Sequence, residues 1–226
     1  MAEVLLFHHA QGLTDGVREF ADTLTGAGHT VHLPDLYEGR VFADLDAGLA
    51  YAKEVGFGAI KERGLHAADG LADGLVYAGF SLGVMPAQEL AQTRSGTKGA
   101  LLFHACIPTE EFGGKWPTGV PVQVHGMDAD PFFVDGGDLE AARALVASTT
   151  DADLFPYPGE GHLFADASLS DYDEPAATLQ MDRVISFLAG IEIGESGSDV
   201  VHSRPCARSS AAADKDFASS LVRGDA

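Results

Sequence analysis

The sequence has almost nothing to cross-link. Cysteine occurs only as Cys106 and Cys206, which give neither a disulfide framework nor a zinc spacing. A reducing cytoplasm is the simplest compartment to expect for such a chain. Long apolar runs are missing too. Hydrophobic residues make up 46% of the 226, but none of the runs approaches the roughly 20 residues a membrane helix needs. The opening Met1–Phe7 carries no basic segment and is apolar for only a strand's length, so a first strand is expected there and not a secretion signal. Basic residues are scarce, with 14 Lys and Arg against 34 Asp and Glu and a formal net charge of −20. Nucleic acid binding needs a basic footprint, which is absent. Polyanionic substrates are disfavoured as well, and the acidity itself reads as solubility and self-repulsion. Neither a nucleic acid nor a membrane partner is expected, and the oligomeric state stays open.

Apolar strand-like runs alternating with helical spacing fill the first 190 residues. Val4–His8, Thr30–Leu33, Leu75–Gly79, Ala100–Phe103, Val120–Val124 and Ala152–Pro156 read as strands. Val17, Phe20, Ala21 and Leu24 repeat at helical intervals behind a cap at Thr14 or Asp15. Further helices are expected over residues 40–70, Pro86–Gln92, Asp138–Ser148 and around Met181–Leu188. This order predicts an α/β domain with a mostly parallel, doubly wound sheet and helices on both faces. The domain is expected over residues 1–190. Residues 191–226 turn to Ser, Ala, Gly and Asp and read as a disordered C-terminal tail, with a short docking helix at Phe217–Val222 as the alternative.

Gly79-Phe80-Ser81-Leu82-Gly83 follows one of those strands and precedes a helix. Such a Gly-x-Ser-x-Gly elbow puts a serine on a tight strand-to-helix turn, with its hydroxyl above the sheet. Serine is a weak nucleophile at neutral pH and needs a general base. His162, in Gly161-His162-Leu163-Phe164, lies just past the last strand and is the expected base; His202 falls in the tail. An acid is needed between the two, at a strand end, to orient the imidazole. Asp130, which precedes Pro131, is favoured over Asp128 and Asp135. Leu82 and, from the loop after the first strand, His9 or Ala10 offer the expected oxyanion-binding N–H groups, with Ala10 preferred by loop position alone. His9, Trp116 and Phe164 are the expected substrate contacts, Trp116 being otherwise a loop anchor. Phe132 and Phe133 flank the acid. His8, His104 and His125 each close a predicted strand without a metal-binding spacing; they read as pocket-lining or structural, and no metal or other cofactor is expected. Cys106 reads as a buried thiol.

Together with Asp35-Leu36-Tyr37 after the second strand and Met127–Pro131, these motifs resemble the dienelactone hydrolase family over residues 3–190. The resemblance implies a compact α/β-hydrolase fold without a large cap, acting on esters or lactones without a cofactor. Three positions depart from it. The family implies a cysteine where this chain has Ser81. It implies a glutamate beside the nucleophile where this chain has His9, and a carboxylate-binding arginine where it has Asp166, an acid expected to repel a substrate carboxylate. The expected function is therefore a serine hydrolase cleaving a small ester or lactone through an acyl-enzyme. A thioesterase or acyltransferase with the same triad, or a non-catalytic binding protein on this fold, are the alternatives.

Overall fold

A computed structural model of the chain describes residues 1–195. Six strands form one sheet in the order β2-β1-β3-β4-β5-β6: β1 (Glu3–Phe7), β2 (Thr30–His32), β3 (Val76–Phe80), β4 (Gly99–Phe103), β5 (Val122–Met127) and β6 (Ala152–Tyr157). Every pairing is parallel. The helices are α1 (Asp15–Gly26), α2 (Leu45–Val55), α3 (Phe57–Ala67), α4 (Val84–Thr93), α5 (Pro131–Asp135), α6 (Asp138–Ser148) and α7 (Glu174–Glu195). The expected doubly wound α/β architecture therefore forms, and no inserted domain caps the sheet among the described residues.

Successive strand side chains point to opposite faces, and this sorts the core into two layers. Leu5, Phe7, Tyr77, Leu102, Val122 and Val124 pack under Ala52 of α2, Ile60 of α3, Leu90 of α4 and Leu145 of α6. Their neighbours in sequence, Val4, Leu6, Val76, Ala78, Phe80, Leu101 and Phe103, pack against Val17, Phe20 and Leu24 of α1 and Val184 and Leu188 of α7. Strands buried on both faces show up as near-continuous apolar runs, which is why they were legible.

Most strand and helix ends shift from expectation by a residue or two, and four differences go further than that or add an element. The β5 strand begins at Val122, because Val120 is held in a turn: its N–H bonds to Pro117 O and its carbonyl accepts from Trp116 Nε1 at 2.7 Å. The Asp-Pro pair at 130–131, expected as a turn, starts the short helix α5. A 3₁₀ turn over Thr109–Phe112 lies in the loop after β4. The closing helix α7 runs past residue 190 to Glu195. The remainder of the expected tail, with His202, Cys206 and the Phe217–Val222 segment, lies outside the described residues.

The strand order reverses between β1 and β3. Chains leaving the carboxyl ends of these two strands diverge, opening a crevice where such sheets place their sites. The loop after β1 and the turn after β3 meet at that point.

Candidate active site

The elbow is built by close approach of backbone to backbone. After β3 a 3₁₀ turn, Ser81–Gly83, leads directly into α4. Ser81 sits at φ +47°, a left-handed conformation that costs a non-glycine residue roughly 1–2 kcal/mol. A side chain at Gly79 would place its Cβ 2.2 Å from Gly83 O, and one at Gly83 would lie 2.6 Å from Phe7 O and 2.7 Å from His8 O. Only glycine lets the turn fold this tightly and lie against the end of β1.

Ser81 Oγ lies 2.8 Å from His162 Nε2, and His162 Nδ1 lies 2.7 Å from Asp130 Oδ2. Since a carboxylate only accepts, Nδ1 carries the proton and Nε2 is free to accept from the serine hydroxyl. Asp130 is fully buried. Its other oxygen caps α5 by accepting from Phe132 N at 2.9 Å, so one carboxylate both starts a helix and holds an imidazole. Asp128 is exposed and accepts from Gly159 N, and Asp135 is exposed; neither reaches His162. Ser81 is only 1% exposed and His162 4%. The Phe132 ring packs 4.8 Å from the His162 ring. Leu82 follows Ser81 in the turn, and Ala10 lies in the β1 loop; both are fully buried.

The expected substrate contacts are placed differently. His9 is fully buried with both ring nitrogens engaged: its Nε2–H donates to Asp166 Oδ2 at 2.8 Å, and its Nδ1 accepts from Gln11 N at 3.2 Å. Phe164 is fully buried against His104 and Tyr157, at 4.7 and 5.0 Å between rings. Trp116 anchors its own loop through Val120 and packs into the core layer that holds α2–α4. Nor is Asp166 a free acid facing a substrate. It is 3% exposed and accepts from His9, Thr14 and Ser168. Burial would raise this carboxyl, but those hydrogen bonds outweigh it and hold the group below the ordinary carboxylate range. The two positions that depart most from the resemblance thus bond to each other, a pairing across 157 residues of sequence that spacing could not reveal.

The strand-end histidines are buried in three different settings. His8 donates from Nδ1 to His9 O at 2.7 Å and accepts at Nε2 from Leu36 N at 3.0 Å. His125 bonds Tyr157 Oη at 2.8 Å. His104, at φ +66°, packs its ring 6.0 Å from that of His162, with the buried Gln180 side chain facing it short of hydrogen-bond geometry. Burial lowers the pKa of all three, His8 to about 4, His125 to about 3 and His104 well below the usual value. Cys106 is buried, and burial pushes its thiol up, away from nucleophilic use. Among the described residues no group of three or more His, Cys, Asp or Glu is placed to hold a metal ion, and no helix is long and apolar enough to cross a membrane.

The family model described as the dienelactone hydrolase family matches residues 1–191. The chain belongs to this family. It is a hydrolase acting on ester bonds. Among solved structures it resembles the dienelactone hydrolase-like promiscuous phosphotriesterase P91 from metagenomic libraries, at 20% identity and a TM-score of 0.63, over 84% of this chain and 87% of that one. Esterase 2 from Thermogutta terrifontis, phosphoramylated by tabun, aligns at 17% identity and a TM-score of 0.56, over 84% and 83% of the two chains. At these identities the likeness is one of fold. Among curated proteins no sequence matches the chain.

Proposed function

We propose that this dienelactone hydrolase family member cleaves small esters or lactones through an acyl-serine. The observation that supports this most directly is the hydrogen-bonded series Ser81–His162–Asp130, at 2.8 and 2.7 Å. Ser81 Oγ attacks the acyl carbonyl while His162 Nε2 takes its proton. Asp130 holds the imidazole in the tautomer that can do so and stabilises the imidazolium. The N–H groups of Leu82 and Ala10 receive the oxyanion. His162 then returns the proton to the leaving alkoxide, and a water it activates cleaves the acyl-enzyme. The near-complete burial of Ser81, with no cap domain among the described residues to enclose a large ligand, favours a small acyl group. Cytoplasmic operation without metal or organic cofactor belongs to the same proposal.

A fluorophosphonate probe tests it. Labelling of the wild type at Ser81, located by mass spectrometry, is expected, with none in Ser81→Ala. Equal labelling of both refutes Ser81 as nucleophile. Hydrolysis of p-nitrophenyl acetate should fall by orders of magnitude in Ser81→Ala and His162→Ala.

A further inference from the structure

Resting on the reading of Ala10 N–H as an oxyanion donor, we propose that His8 is a positioning residue that aims this N–H by gripping the carbonyl of the same peptide unit.

The C=O of His9 and the N–H of Ala10 belong to one planar group. No peptide bond among the described residues is cis, so the two point in opposite directions and fixing one fixes the other. His9 O is held by two donors, His8 Nδ1 at 2.7 Å and Gly12 N at 3.0 Å. Two donors on one carbonyl set the plane of the peptide and also polarise it, which strengthens its N–H as a donor.

His8 can do this because its ring has no alternative. Nε2 accepts from Leu36 N at 3.0 Å, which obliges the proton to sit on Nδ1. The ring is fully buried and stands edge-on to Tyr37 at 5.0 Å. Leu36 is itself pinned. Asp35 accepts from Tyr37 N at 2.8 Å and Gly39 N at 2.6 Å, and Leu36 O accepts from Arg63 at 2.7 Å. The Asp35-Leu36-Tyr37 segment thereby gains a role at the site, since it presents the backbone N–H that fixes the His8 tautomer. The peptide after Ala10 is backed from the other side by α2, where a Cβ at Gly48 would lie 2.1 Å from Ala10 O. The end of β1 lies against Gly83 of the elbow, so the gripped peptide stands beside the nucleophile's turn. Oxyanion charge develops only in the transition state, so a mis-aimed donor lowers kcat and leaves KM nearly unchanged.

Two variants separate aiming from mere stability. The amide N–H of Asn stands where Nδ1–H does and can still reach His9 O; the carbonyl of Gln stands near Nε2 and can still accept from Leu36. Each keeps one of the two bonds, so His8→Asn and His8→Gln should have similar urea midpoints. With p-nitrophenyl acetate, His8→Gln is expected to lose about 10–100-fold in kcat, a part of the loss seen on removing an oxyanion donor outright, with KM changed less than about threefold. His8→Asn should stay within about fivefold of wild type. Equal losses in the two variants, or no loss in either, overturn the proposal. If His8→Gln does not fold, nitrogen NMR of wild-type His8 decides: the Nδ1–H tautomer supports the grip and the Nε2–H tautomer refutes it. Ser81→Ala in the same assay separates the two levels. Its inactivity, with His8→Gln unimpaired, overturns this proposal alone, whereas turnover by Ser81→Ala overturns the serine mechanism beneath it.

Discussion

Asp166 ties its own loop to the loop between β1 and α1, and removing its charge should unfold the chain far more readily than a surface substitution does. Oδ2 accepts from His9 Nε2 and from Thr14 Oγ1, while Oδ1 accepts from Ser168 N at 2.9 Å and Ser168 Oγ at 2.6 Å. All four partners are donating. In Asp166→Asn one of those oxygens becomes an NH₂. The hydroxyls of Thr14 and Ser168 can rotate to accept from it. The backbone N–H of Ser168 cannot, nor can His9, whose Nδ1 is engaged by Gln11 N and leaves the ring proton on Nε2. Either orientation of the amide therefore sets one N–H against another. A hydrogen bond to a charged group contributes about 1.5–3 kcal/mol, and an orphaned buried donor costs about 1–3 kcal/mol. The expected loss for Asp166→Asn is about 2–4 kcal/mol, and more for Asp166→Ala, which orphans every donor. Thr14 also caps α1 by accepting from Val17 N, so that helix start should loosen as well. Trp116, the one tryptophan and a buried one, reports unfolding in urea by its fluorescence. A lower midpoint at unchanged slope is expected. If Asp166→Asn unfolds within about 0.5 kcal/mol of wild type, the size of an ordinary surface substitution, the network does not hold the loops.

Acid should destabilise the fold before most carboxylates are protonated. His8 and His125 have folded pKa values near 4 and 3, below the unfolded value of 6.5. Their contribution is fully present above 6.5 and is lost as pH falls from 6.5 toward those folded values, at about 1.4 kcal/mol per unit for each. Between pH 7 and 4.5 these two should lower the urea midpoint by the equivalent of about 5 kcal/mol, with buried His104 adding to the fall in the same direction, and a flat profile over that window would contradict neutral burial. Asp130→Asn, which would favour the wrong His162 tautomer, should cost about 10³–10⁴-fold in kcat for p-nitrophenyl acetate. Asp128→Asn should stay within about twofold, in keeping with an exposed carboxylate; the reverse ranking would transfer the role to Asp128. Gly83→Ala forces a Cβ onto Phe7 O and His8 O and should cost about 3 kcal/mol or more, read as a lowered melting temperature with loss of turnover; a wild-type melt would refute the close approach.

What was legible in the sequence depended on how local its signal is. Strands buried on both faces are apolar runs, and Ser81, Asp130 and His162 each follow a strand with a glycine or proline one or two residues away, so pattern and spacing singled them out as candidates. The short helix α5 was missed because Asp130-Pro131 serves a turn and a helix start equally well; Asp at the cap with Pro at the first helical position was the available signal. The tertiary roles of His9 and Phe164 were not legible, whereas for Trp116 the loop anchor was one of two readings the sequence left open. A histidine in a site loop looks the same whether it faces a pocket or a distant aspartate, and the partner of His9 lies 157 residues away. The role of His8 was equally hidden, because it acts on a carbonyl of its neighbour and takes its tautomer from the backbone of Leu36.

The pairing of His9 with Asp166 also changes what their departures from the family pattern mean. Taken singly, each removes a residue that the resemblance implies, and the acid looks like a bar to anionic substrates. Taken together they form a complementary donor and acceptor, with the acid on the histidine loop. The Asp166 carboxylate is held inside a buried network, so any repulsion of an anionic ligand acts through its field and not by direct contact. The loop that supplies Ala10 and the loop that supplies His162 are instead fastened to each other by a bond whose partners both lie within a few residues of the proposed chemistry. In the proposed mechanism the pair's contribution is to keep the Ala10 peptide and His162 at a fixed separation, where about 1 Å of slack would cost roughly a hundredfold in rate.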